Sequence, residues 1–155
     1  MVNVYFLDSS ALVKRYVAET GTTWVQSITA PHTRNKLIIA RITWVEVLSA
    51  LARRQREGSL SPDSAVKAIQ AFRYDLDTQY QVVELDRMLA ETAGQLVGKH
   101  PLRAYDAIQL APVLRIQPAF AQAKSTSLTF LAADDRLIAI AQAEGLLTDN
   151  PNHHP

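Results

Sequence analysis

Cysteine is absent from the chain. That removes disulfides and thiolate metal sites, and it fits a reducing, cytoplasmic compartment. Glycine is scarce, with 5 in 155 residues. No G-x-G-x-x-G, no P-loop and no G-x-S-x-G elbow occurs, so the common dinucleotide, nucleotide and serine-hydrolase signatures are missing. No apolar run is long enough to span a membrane. The N-terminus lacks a basic region and meets a charge at Asp8, so no secretory signal is expected. Charge of one sign is also lacking: the formal net charge is +1. A global field favouring nucleic acid is therefore excluded, and any basic surface has to be local.

What the chain does have is 48% hydrophobic residues, enough for one domain with a sizeable core. A single domain over residues 1–150 is expected, with 151–155 as a disordered tail. The segment from Val4 to Leu7 reads as a buried strand, followed by a helix from Ser9 to about Ala18. Gly21 breaks that helix, and a short one follows from Thr22 to Ile28. Lys36 to Ala40 is a second strand, and Thr43 to Arg56 is a helix with apolar residues at i, i+3/i+4 spacing. Ser61-Pro62-Asp63 opens the next helix, with proline at its first position. Tyr80 to Leu85 is a third strand. Asp86 caps a helix from Arg87 to Val97, closed near Gly98. A further helix begins near Ala104, and Pro112 inside it predicts a kink or an early end. Gln117 to Ser127 reads as a polar, alanine-rich connector. Leu128 to Ala132 is a fourth strand, Arg136 to Glu144 a helix, and Leu146 to Thr148 a short edge strand. Strands alternating with helices predict an α/β fold: a three-layer α/β/α sandwich around a mainly parallel sheet.

Acidic residues recur at matching places in this pattern. Asp8 ends the first strand and Asp134 follows the fourth. Glu46 and Asp106 lie in the first turns of their helices. In a parallel sheet these positions share one edge, where ligands bind. Each has a structural alternative: Thr43-Trp44-Val45-Glu46 fits a capping box, Asp106 suits the positive end of a helix, and Asp134 or Asp135 suits an N-cap. Together, four carboxylates crowding one cleft repel and raise one another's pKa unless a cation lies between them. Oxygen-only ligands select hard cations such as Mg²⁺ or Mn²⁺, and such a site hydrolyses phosphodiesters.

At these residues the chain resembles the PIN-domain family, in particular VapC-type toxins of bacterial toxin–antitoxin pairs. The matching segments are Phe6-Leu7-Asp8-Ser9-Ser10-Ala11-Leu12-Val13-Lys14, Ile42-Thr43-Trp44-Val45-Glu46, the run from Leu102 to Ala111 around Asp106, and Phe130-Leu131-Ala132-Ala133-Asp134-Asp135-Arg136-Leu137. They occur in family order over nearly the whole chain. The resemblance implies a PIN-like fold and a metal-dependent endoribonuclease. It assigns Asp8, Glu46, Asp106 and Asp134 to a catalytic, metal-binding site for Mg²⁺, with Mn²⁺ as a substitute. The acid lies three residues before a leucine in the family motif, which favours Asp134 over Asp135. Ser10 matches a small hydroxyl residue lining the site. Ala132 departs from the family, where threonine or serine is common.

The resulting expectation is the toxin of a toxin–antitoxin pair, cleaving RNA. Its expected partners are the RNA substrate, a small antitoxin and a second copy of itself in a homodimer, with no membrane. Ser10, Lys14 and Arg15 are the expected substrate-binding residues, with Arg53 and Arg54 as further basic candidates. The rivals are a non-catalytic interaction domain and a phosphoacceptor module of receiver type. The latter normally needs an acidic pair after the first strand, where this chain has Asp8 followed by Ser9-Ser10.

Overall fold

The computed structural model describes residues 2–123 and 126–155. Five strands form one sheet: β1 (Val4–Leu7), β2 (Lys36–Ala40), β3 (Tyr80–Val83), β4 (Leu128–Leu131) and β5 (Leu147–Asp149). Their order is β3-β2-β1-β4-β5, and every pairing is parallel. The helices are α1 (Ser9–Leu12), α2 (Thr22–Thr29), α3 (Thr43–Arg56), α4 (Pro62–Thr78), α5 (Arg87–Lys99), α6 (Ala104–Gln122) and α7 (Asp135–Ala143).

The central strands β1, β2 and β4 are largely buried on both faces, which is why they read as continuous apolar runs, while the edge strands β3 and β5 are more exposed. Val4 and Phe6 of β1, with Ile38 and Ala40 of β2, join a core shared with α5, α6 and α7. Leu7, Leu37 and Ile39 point the other way, into a core with α1, α3 and α4. This two-residue alternation makes the α/β/α sandwich. From β1 the chain winds outward through β2 and β3, then returns to the far side of β1 with β4. The order reverses between β1 and β4, and the crevice outside their carboxyl ends is where open α/β sheets bind ligands.

Four local expectations are corrected. The first helix is shorter than Ser9 to Ala18: α1 passes into a 3₁₀ turn at Val13–Arg15. Gly98 does not close α5, which continues to Lys99. Helix α6 does not end at Pro112; it runs through both Pro112 and Pro118 to Gln122. Pro112, Leu110, Ala111 and Val113 are all buried, and the apolar burial offsets the backbone bonds the prolines remove. The expected connector from Gln117 is thus largely helix, and Lys124 and Ser125 within it lie outside the described residues.

The fourth correction is the C-terminal segment, expected as a disordered tail. Pro151–His153 form a 3₁₀ turn, with Pro151 buried. The His154 ring stacks on Trp24, centroids 4.0 Å apart and 6° from parallel, and its Nε2 lies 2.9 Å from Asp149 Oδ1. Gly21 permits this docking. Its φ of +86° suits glycine, and a Cβ there would overlap the Pro151 carbonyl.

Candidate active site

Asp8 follows β1, and its N–H donates to Leu131 O of β4 at 2.9 Å. The pairing holds the end of β1 beside the end of β4, so Asp8 and Asp134 flank the same crevice. Asp8 is 3% exposed. Its Oδ2 accepts from the backbone N–H of Ser10 at 3.1 Å and from the Ser10 hydroxyl. Ser10 Oγ in turn accepts from Ala133 N at 2.9 Å. One small side chain therefore links the first acid to the loop that carries the last.

Glu46 projects from the first turn of α3. It makes no capping box: the N-cap of α3 is Ile42, without a side-chain cap. The carboxylate instead accepts from Ser9 Oγ at 3.2 Å and from Gln109 Nε2 at 2.7 Å. Asp106 lies in the first turn of α6. Asp134 is the N-cap of α7, with Oδ1 accepting from Arg136 N at 2.9 Å and Leu137 N at 3.4 Å. Capping occupies one oxygen of Asp134 and leaves Oδ2 for other work. Asp135 points elsewhere: its Oδ1 accepts from Asn150 Nδ2 at 2.7 Å.

Asp8, Glu46, Asp106 and Asp134 all line one cleft of about 610 Å³, and Asp135 does not. Ser9, Ser10, Lys14, Glu19, Arg53, Arg54, Arg103, Tyr105 and Asn152 share its wall. Among the described residues, none of the four carboxylates has a salt-bridge partner. Their proton affinities reflect this. Burial, with lesser repulsion from Glu46 and Asp106, pushes Asp8 up to about 7 against the pull of the Ser10 bonds. Glu46 is raised by burial and by Asp106, opposed by its bonds from Gln109 and Ser9. Asp106 is raised by burial and by Asp134, opposed by Arg103 and Arg136.

The expected basic residues divide. Lys14 reaches the cleft but is 5% exposed, and its Nζ lies 3.3 Å from Glu19 Oε1. Glu19 also holds Arg54 Nη2 at 3.0 Å. Arg15 is not brought to the cleft. Its Nη1 donates to the Tyr80 hydroxyl at 2.6 Å, and Nη2 lies 3.5 Å from Asp75. Consecutive residues on a tight 3₁₀ turn point different ways, and an Arg15 half-buried among Tyr16, Tyr80 and Asp75 is a structural tie.

Sequence reasoning missed Glu19, Arg103, Asn152 and Gln109. Arg103 directly precedes the Asp106 helix, a position that could have flagged it. Glu19 pairs with Lys14 and Arg54, Asn152 donates to Ala133 O, and Gln109 meets Glu46 from 63 residues away, contacts that no local pattern announces.

Residues 5–143 match the profile of the PIN domain. The chain belongs to the PIN domain family. Solved structures agree on the fold of this PIN domain. VapC20 of Mycobacterium tuberculosis, described as a sarcin-ricin-loop-cleaving toxin, aligns with a TM-score of 0.62 at 19% identity, covering 92% of this chain and 96% of its own. VapBC2 of Rickettsia felis, solved with a DNA fragment from its promoter, aligns with a TM-score of 0.60 at 11% identity, covering 95% and 98%. A toxin–antitoxin complex from Klebsiella pneumoniae gives 0.59 at 18% identity, covering 95% and 97%. No curated protein matches the sequence significantly.

Proposed function

We propose that this PIN domain is a divalent-metal-dependent endoribonuclease and the toxin of a toxin–antitoxin pair. The observation that carries the reading is the convergence of Asp8, Glu46, Asp106 and Asp134 on one cleft with, among the described residues, no salt-bridge partner for any of them. Four such carboxylates are an unstable arrangement by themselves, and a cation relieves it.

The donor set fits a hard cation. All four side chains offer oxygen, and among the described residues no histidine or cysteine lines the cleft. Among the described residues no three Asp, Glu, His or Cys side chains stand close enough together to hold a metal ion by themselves. An open, oxygen-only set suits Mg²⁺, which keeps several waters and completes its coordination with substrate phosphate. Mn²⁺ is its natural substitute. When bound, the cation supplies an activated water and neutralises charge on the phosphoryl oxygens.

The chain's own residues do the rest. Ser10 orients Asp8. Ser9 holds one oxygen of Glu46. Arg53 and Arg103 on the cleft wall, with Lys14 and Arg54 behind Glu19, attract the RNA backbone and set its register without reading bases. The small antitoxin partner, homodimer assembly and cytoplasmic location belong to the same reading. The Rickettsia felis VapBC2 structure and the Klebsiella pneumoniae toxin–antitoxin complex among its structural neighbours support the antitoxin. The phosphoacceptor alternative has no observation in its favour: Asp8 is buried and already bonded.

The test is cleavage of a structured RNA with Mg²⁺, with Mn²⁺ and with excess EDTA, for wild type and Asp106→Asn. Metal-dependent cleavage that the substitution abolishes is expected. Full activity in EDTA, or an unchanged rate in Asp106→Asn, overturns the assignment.

A further inference from the structure

Gln109 lies on α6, almost one turn beyond Asp106, and is wholly buried. Its Nε2 donates to Glu46 Oε1 at 2.7 Å and to Thr43 Oγ1 at 2.8 Å. Both amide hydrogens are thereby used on two residues of α3 that stand one turn apart. Helix α6 packs on one face of the sheet and α3 on the other. The amide is thus a tie across the open end of the sheet, between the helix of Glu46 and the helix of Asp106.

The tie carries a cost that fixes its direction. Gln109 Oε1 is buried without a hydrogen-bond partner; among the described residues only Gln79 shares that condition. An orphaned buried acceptor is destabilising. Turning the amide over would let the Thr43 hydroxyl donate to that oxygen, but it would press the oxygen against the Glu46 carboxylate, acceptor against acceptor, and leave the amide hydrogens without a partner. The amide therefore faces Glu46 with its hydrogens, and the carbonyl is the part left unmatched. A core chosen for stability alone would fill this place with an apolar side chain. Ser9 holds the other Glu46 oxygen at 3.2 Å, so both carboxylate oxygens are constrained.

We propose that Gln109 is a positioning residue: its amide fixes the Glu46 carboxylate, and the spacing of α3 from α6, so that Glu46 meets a cation in the cleft. The inference rests on the nuclease reading insofar as it takes Glu46 as a cation-holding group. Residues that orient ligand side chains in this way typically change metal affinity or activity by about 10–100-fold when removed.

The experiment is a double-mutant cycle. Gln109→Leu and Gln109→Met are made in wild type and in Glu46→Gln. Mn²⁺ affinity is measured by calorimetry or electron paramagnetic resonance, and RNA cleavage is resolved into kcat and KM. Expected in the wild-type background is a roughly 10–100-fold loss of Mn²⁺ affinity and of kcat with KM for RNA unchanged. In the Glu46→Gln background the same substitutions cost little more, because the charged carboxylate that Gln109 would position for the cation is already gone, even though the amide carbonyl can still accept its hydrogen bond. Wild-type Mn²⁺ affinity and kcat in a folded Gln109 variant, or the same fold-loss in both backgrounds, overturns the proposal while leaving the nuclease reading intact. A wild-type protein that neither binds Mn²⁺ nor cleaves RNA overturns both. Should the Gln109 variants fail to fold, the side-chain amide of wild-type Gln109 is followed by NMR. Slow solvent exchange and a shift on Glu46→Gln are expected, and a fast-exchanging amide indifferent to Glu46 overturns the proposal.

Discussion

Ser10 gives its hydroxyl hydrogen to the buried Asp8 carboxylate and takes the Ala133 N–H on the same oxygen. The two bonds use the serine as donor and acceptor at once, so no other small side chain but threonine could replace it chemically. Ser10→Ala should cost about 1–3 kcal/mol through the unmatched Ala133 N–H. It should also move Asp8 further up, because the lost donor favoured the charged form. The acidic limb of the pH–rate profile should shift to higher pH than in wild type. A profile that superimposes on wild type would remove Ser10 from the site.

Asp8 makes the metal-free protein sensitive to pH. Its carboxyl is raised from 3.8 to about 7 by burial first, then by Glu46 and Asp106 against the Ser10 bonds. Between these values the folded protein keeps a proton that the unfolded chain has lost. Stability therefore falls as pH rises through that window, by at most roughly 1.4 kcal/mol per unit from this group, and levels off above it. In EDTA, wild type should melt lower at pH 8 than at pH 5, and Asp8→Asn should flatten that difference. Thermal melts across pH check both. Added Mg²⁺ should restore the wild-type melting point at pH 8, since a ligand bound only by the folded state stabilises it, and should do little for Asp8→Asn.

Arg15 and Arg53 should separate stability from substrate binding. Arg15→Met breaks the bonds to Tyr80 and Asp75 and should cost about 1.5–3 kcal/mol, with KM for RNA unchanged in the folded fraction. Arg53→Met on the cleft wall should leave stability within about 0.5 kcal/mol and raise KM, most at low salt. Urea unfolding and steady-state kinetics distinguish the two. The reverse pattern would return Arg15 to the substrate path.

The docked C-terminal segment depends on Gly21. Gly21→Ala meets the Pro151 carbonyl at a positive φ. The substitution should lower stability by about 2 kcal/mol or more. It should also expose Trp24 by unseating His154, which Trp fluorescence would report. Unaltered fluorescence and melting would mean that the segment contributes nothing to the fold.

The sequence alone determined the parallel α/β architecture and the places of the four acids. Both are local signals. A strand buried on two faces is a short apolar run, and an acid beside a strand-to-helix junction stays beside it wherever the sheet closes. The preference for Asp134 over Asp135 rested on the family motif's spacing to Leu137; in the structure Asp134 lines the cleft and Asp135 meets Asn150. What only the tertiary structure decided involves partners distant in sequence. Glu46 fits a capping box by spacing, yet its carboxylate is taken by Gln109, 63 residues away, and by Ser9. Lys14 and Arg15 are adjacent and equally basic, and only the packing of β3 and α4 sends one to the cleft and the other to Tyr80 and Asp75. Pro112 and Pro118 break helices by local rules, but α6 persists because its burial against α5 and the sheet outweighs the bonds they remove. The last residues look like a tail until Trp24 and Gly21 supply a surface for them. In each case local chemistry names the groups available, and long-range packing selects which one each group meets.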